Sequence, residues 1–284
     1  MFEGRVIAVA TKHEKEKVIT PLLEKELGVT CVVPSNFDSD VFGTFTGEVP
    51  RADSPLETLR KKARLGMQKA GTDLVIASEG SFGPHPSLFF VPAADEMLIF
   101  IDRKNDIEIV AREVSTETNF SSAEVSTEEE LLKFANQSLF PSHGLILSNP
   151  IETITCPTEK PFFYKGITSH EELLDKFKTI RKETQTVLVQ TDMRAMYNPT
   201  RMKTIARACH KLIANIVSQC PSCLTPGFNV TDVLDGLPCS LCGRPTKSTL
   251  AHQYVCRRCG HKELRYYPSL KLEEDPTFCD YCNP

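Results

Sequence analysis

The chain has 284 residues, 40% of them hydrophobic and 25% charged; it is too apolar for a disordered protein and long enough for two domains. Its net charge of −4 conceals a division, because residues 1–175 carry 17 Lys+Arg against 28 Asp+Glu while residues 176–271 carry 16 against 5. No stretch approaches the roughly 18 apolar residues of a membrane span, and the apolar run at residues 6–10 is too short for a secretion signal, so a cytoplasmic protein that does not engage a membrane is expected.

Residues 5–10 read as a buried strand. Thr11 and Glu14 have capping-box spacing and open a predicted helix that runs to about Leu27. A short strand at 29–33 ends at Pro34, and a long loop follows with Asp38 and Asp40 near its start. Ser54, Pro55 and Glu57 supply a cap, a first-turn proline and a capping-box carboxylate for the next helix, whose apolar stripe is Leu56, Leu59, Ala63, Met67 and Ala70. Residues 73–78 form a near-continuous apolar strand of the kind buried on both faces, running into a predicted tight turn at 79–86. Strands are expected at 96–102 and 107–114, joined by a hairpin loop. A helix around 127–137, a strand at 144–147, a helix from Ser169 and a strand at 186–190 come next. After Asn198-Pro199, the residues Met202, Ile205, Cys209, Leu212 and Ile216 recur every three or four positions, which predicts a helix with one buried face. Strands alternating with helices predict an α/β domain over residues 1–218, a mixed sheet flanked by helices, followed by a small module over 219–284.

That module carries the strongest chemical signal. Of the 11 cysteines, eight form CxxC pairs: Cys220 and Cys223, Cys239 and Cys242, Cys256 and Cys259, Cys279 and Cys282. In a chain without a secretion signal this spacing favours metal over disulfides, and four pairs make two four-cysteine zinc sites of zinc-ribbon character. The expected pairing nests 239/242 with 256/259 and 220/223 with 279/282; interleaving is the rival. The metal would staple a segment too poor in large apolar side chains to bury a core, leaving His210, His252 and His261 surplus. Arg244, Lys247, Arg257, Arg258, Lys262 and Arg265 with Tyr266 and Tyr267 suit phosphate contacts and base stacking, so nucleic acid is a candidate partner. Each zinc ion with its four thiolates is formally −2, however, so part of this charge answers the metal, and a protein-docking role is the alternative.

In the first domain, Lys12 near a helix start, Arg60, Lys61, Lys62 and Arg64 after an acidic cap, and Arg194 and Arg201 flanking Asn198-Pro199 are cations beside helix starts, which an anion such as phosphate would explain; a solvated helix face is the alternative for Lys61 and Arg64. Glu57 and Glu79 fall at strand or loop edges, where α/β domains build sites, and carboxylates beside phosphate suggest Mg2+. A capping box alone would explain Glu57. Glu79, directly after a buried strand, needs a partner. Thr116, Thr118 and Asn119 read equally as a polar turn, and His85 and His143 as ordinary loop histidines.

Through the stretches ATKHEKE, FGTFTGE, SPLETLRKKA, ASEGSFGPHP and TDMRAMYNPTRM and the paired CxxC tail, the chain resembles a bacterial domain-of-unknown-function family of uncharacterised proteins. The order of the Thr11-Lys12-His13-Glu14-Lys15 turn, the Glu57-Thr58 helix start and Glu79-Gly80 also resembles, more distantly, the inosine triphosphate pyrophosphatase-like superfamily, Mg2+-dependent enzymes that hydrolyse non-canonical nucleoside triphosphates. That resemblance implies triphosphate contact by Lys15 and metal support by Glu57 and Glu79. It departs from the superfamily at Lys12 and His13, where asparagine and proline are usual. The expected protein is thus a metal-dependent nucleotide pyrophosphatase with a structural zinc module, or else a non-catalytic nucleic-acid-binding or docking protein.

Overall fold

The computed structural model describes residues 1–38, 53–150 and 162–284. Asp40 and the FGTFTGE stretch lie outside the described residues. The chain forms two compact units, one of Met1–Asp106 with Val110–Leu212 and one of Ile107–Ile109 with Ile213–Pro284.

The first unit contains, but for Ile107–Ile109, a five-stranded mixed sheet in the order β2-β1-β3-β4-β5. Its strands are β1 (Val6–Ala10), β2 (Thr30–Val32), β3 (Leu74–Pro84), β4 (Pro92–Asp102) and β5 (Ile107–Ser115). β1 is parallel to both β2 and β3, with Ala8 opposite Val32 on one side and Val75 on the other. Helix α1 (Glu16–Leu27) connects β1 to β2, and α2 (Pro55–Ala70) lies between β2 and β3 in the chain. Both end at a left-handed glycine, Gly28 and Gly71, a conformation cheap only without a Cβ. The two connections leave to opposite sides of β1, so its C-terminal end is a topological switch point, where α/β sheets open a crevice. The stripe Leu59, Ala63 and Met67 of α2 packs on Ala8, Ala10, Val75, Ala77 and Ile99, burying apolar area worth about 25 cal/mol per Å2.

Two local expectations need correction. Thr11 and Glu14 form no capping box: α1 begins at Glu16 with Lys15 as its N-cap and no side-chain cap, because His13 and Glu14 both take positive φ (65° and 63°). Residues 79–84 do not turn either. They continue β3, paired with β4 from Leu74 opposite Asp102 to Pro84 opposite Pro92. Extended antiparallel pairing tolerates Gly80 and Gly83, and Pro84 falls at the strand's end.

A second sheet in this unit has the order β6-β9-β7-β8, from β6 (Ser122–Val125), β7 (Leu145–Ser148), β8 (Phe163–Ile167) and β9 (Val187–Thr191). Helices α3 (Glu128–Gln137) and α4 (His170–Arg181) carry Leu131, Phe134, Leu173, Phe177 and Ile180 into its core. Thr127 and Glu130 complete a capping box at α3. Helix α5 (Pro199–Val217) starts after the TDMRAMYNPTRM stretch, which is largely structural. Asp192, fully buried, accepts from Gly166 N at 3.0 Å and from Arg194 at 2.6–3.2 Å, and Asn198 Oδ1 accepts from Arg201 N at 2.9 Å at the start of α5.

The second unit contains a three-stranded antiparallel sheet of β10 (Val230–Asp235), β11 (Thr249–Val255) and β12 (Lys262–Tyr266). Its buried centre is Phe228 with Cys220 and Cys256.

Candidate functional site

Just beyond the C-terminal end of β1, level with the middle of β3, the first unit gathers charge that it also buries. Lys15, Lys62, Glu79, Glu96 and Arg201 come from five different elements or their caps and are each at most 8% exposed. Strand alternation divides them. Gly80 opposes Glu96 and shares its face, while Glu79 opposes Met97 on the face covered by α2. On the α2 face Lys62 donates a charged hydrogen bond to Glu79. On the other face Arg201 Nε donates to Glu96 Oε1 at 2.6 Å, its Nη1 donates to Met193 O, and its guanidinium lies 4.9 Å from the Phe82 ring centre. Lys15 Nζ donates to Ser78 Oγ at 3.1 Å and stands 3.8 Å from Glu96 Oε2.

Three cations thus meet two carboxylates away from water. Burial first, then Arg201 and Lys62, outweigh Glu96 and Glu79 and push the Lys15 ammonium down to about 7. Two buried oxygens, Glu96 Oε2 and Thr11 Oγ1, have no hydrogen-bond partner among the described residues, a state that normally costs about 1–3 kcal/mol each. Gly80 is required here by space: a Cβ would sit 2.5 Å from Glu96 Oε1 and collide with Arg201 Nη2.

Of the residues expected from sequence, Lys15, Glu79 and Arg201 converge on this cluster. The others stand elsewhere. Glu57 is half-exposed on α2, its carboxylate on Arg60 at 2.5 Å, and Ser54 caps its N–H, so its position is explained by the helix start. Lys12 is paired with Asp38 at 2.9 Å near the surface, and Arg194 is held by Asp192 and stacks on Tyr197. Glu96 was not singled out from sequence, and Lys62 was named only within the run Arg60, Lys61, Lys62 and Arg64. Lys62 had a signal, because it falls one turn from Leu59 and Gly66 inside the buried stripe of α2.

The cysteines form two tetrads, Cys220, Cys223, Cys256 and Cys259 in one and Cys239, Cys242, Cys279 and Cys282 in the other. The nested pairing is therefore wrong and the chain interleaves them. The reason is β11: it runs antiparallel to β10 with Tyr254 opposite Val230, and its seven residues carry the chain about 23 Å from the 239/242 knuckle to the 220/223 end. β12 then returns it, with Tyr266 opposite Ala251. Nesting would need both ends of β11 in one place. Within the tetrads, Cys220–Cys259, Cys223–Cys256, Cys239–Cys282 and Cys242–Cys279 have Sγ–Sγ distances of 3.5–3.9 Å, against about 3.8 Å for thiolates tetrahedral around an ion at 2.3 Å. Each tetrad can hold a metal ion. Among the described residues these are the groupings of three or more Cys, His, Asp or Glu close enough to share one.

The family described as Domain of unknown function (DUF6671) matches residues 62–284. The chain belongs to that family. Its matched span includes Lys62, Glu79, Glu96, Arg201 and all eight paired cysteines; Lys15 and the β1–α1 turn precede it. No curated protein matches the chain. Among the described residues no helix is long and apolar enough to cross a membrane.

The units also redistribute the charge. Residues 213–284 carry seven Lys+Arg and seven Asp+Glu, and the basic surplus belongs to residues 176–212, with nine against two. Part of that surplus is used internally, since Arg207 reaches Glu113 at 3.1 Å and Glu117 at 2.9 Å, and Lys211 also pairs with Glu113.

Proposed function

We propose that the first unit binds a phosphate-bearing small molecule of the nucleotide class at the β1–α1 turn, and that two zinc ions hold the second unit together. The observation that carries the first part is the buried convergence of Lys15 and Arg201 on Glu96, whose Oε2 carries no hydrogen bond, beside the end of β1. A ligand with an anionic group and a hydroxyl would meet the surplus positive charge and pair Glu96 Oε2. The N-terminus of α1, twelve residues long and starting at this turn, adds N–H groups and a dipole of the right sign.

The finer reading, hydrolysis of a nucleoside triphosphate, draws on the order of the Thr11–Lys15 turn and Glu79, two of whose residues meet in the cluster. Mg2+ does not find its carboxylates among the described residues: Glu79 and Glu96 face opposite sides of the sheet, each held by a cation. No step is therefore routed through it. Zinc fits the tetrads by ligand softness and spacing, and four thiolates leave no open coordination position, so it supplies structure and not catalysis.

The test is thermal denaturation of the metal-replete chain with inorganic phosphate, pyrophosphate and nucleoside mono- and triphosphates, followed by assay of pyrophosphate release. A ligand at 100 times its Kd adds about 2.7 kcal/mol, and Arg201→Met removes that shift in a protein that retains its metal. An unchanged midpoint across the whole panel sinks the reading.

A second reading, nucleic-acid binding by the second unit, is favoured by Arg244 stacked 3.7 Å from the ring centre of exposed Tyr281. It requires affinity that falls steeply with salt and with Arg244→Ala. Binding insensitive to both would remove it.

A further inference from the structure

The three cations of the cluster are not equivalent. Lys62 is in contact with Glu79, and Arg201 is 2.6 Å from Glu96. Lys15 has instead a hydroxyl, Ser78 Oγ, at 3.1 Å and a carboxylate oxygen at 3.8 Å that carries no hydrogen bond. A lysine whose task is charge alone gains from a close carboxylate. This one is buried beside two other cations with an idle proton acceptor next to its amine, the setting in which lysines act as nucleophiles on carbonyl groups. Burial and the neighbouring cations lower the Lys15 amine to about 7, so far more of it is free base at neutral pH than in an ordinary lysine.

We propose that Lys15 forms an imine with a phosphorylated aldehyde or ketone, Glu96 moving the protons while Arg201, on the same face of the sheet, holds the phosphate. The idea rests on the phosphate reading of the same cluster and names its substrate class. The Nζ lone pair adds to the carbonyl carbon. One amine hydrogen passes through Glu96 Oε2 to the former carbonyl oxygen, giving a carbinolamine. The second follows the same route, the C–O bond breaks, and the oxygen leaves as water with both hydrogens while the C=N bond forms. No oxidant or reductant is consumed.

The probe is pyridoxal 5′-phosphate, which carries an aldehyde and a phosphate. The full metal-replete chain is mixed with it at pH 7, reduced with borohydride and mapped by peptide mass spectrometry. Pyridoxal without the phosphate serves as control, and inorganic phosphate, with its own binding measured by calorimetry, as competitor. The expected result is an adduct on Lys15 exceeding those on exposed Lys25 and Lys104 by about tenfold or more, lost with pyridoxal and with excess phosphate. Adducts spread evenly over the lysines overturn the proposal. Phosphate binding without a Lys15 adduct overturns the imine and leaves the phosphate reading standing, whereas neither binding nor adduct overturns both. Lys15→Arg loses the adduct.

Discussion

Lys15 makes its own burial measurable. The unfolded chain holds the lysine proton to about 10.4, whereas the folded chain releases it near 7. Between these values the unfolded state binds more protons, so stability rises with pH across that window, and the penalty is fully present below about pH 7. Lys15→Met removes this slope and narrows the difference between pH 7 and pH 10, an effect on the order of a few kcal/mol. Urea denaturation of both proteins at the two pH values checks it, and parallel slopes for wild type and variant would refute the buried-amine description. Gly80 answers to the same cluster. Gly80→Ala forces the Glu96–Arg201 pair apart in the interior, and a loss of about 1–3 kcal/mol is expected in the same measurement. No loss would mean that the pair relocates freely.

At the scale of elements, α5 ties its own start to the rest of the first unit through Asn198, which is fully buried. Its Oδ1 caps Arg201 N at 2.9 Å and its Nδ2 donates to Asn119 Oδ1 at 2.8 Å. Asn198→Ala therefore loses a cap and strands a partner, for about 1–3 kcal/mol; a hydrogen-exchange rate unchanged over residues 199–205 would contradict this. Elements with complete local signals were legible in the sequence. The periodic stripes of α2 and α5, the caps at Ser54 and Ser169 and the hairpin at residues 103–106 all needed no distant partner. What stayed hidden depended on remote contacts. Ser122–Val125 and Phe163–Ile167 become strands only through pairing with residues far along the chain, and the glycines of β3 are held extended by β4. The site divided in the same way. Eight cysteines declared themselves by spacing, while Glu96 inside an apolar strand looked like one more alternating polar residue until Arg201, 105 residues later, was beside it.

For the whole molecule, pairing decides what metal removal does. Cys220→Ser with Cys256→Ser disrupts one tetrad, whereas Cys220→Ser with Cys279→Ser disrupts both. Metal analysis of the purified variants is expected to return one ion per chain for the first and none for the second, from two in the wild type; nesting would exchange the two results. A strong chelator should unfold the second unit, read as loss of the Phe228 environment, because its buried centre is built on Cys220 and Cys256. Interleaving has a consequence for assembly as well. Residues 239–259 belong to both metal-closed loops, so the first ion to bind already shortens the path that the second must close. Uptake is then cooperative: chains given half their metal should sort into fully loaded and empty populations, with few carrying a single ion.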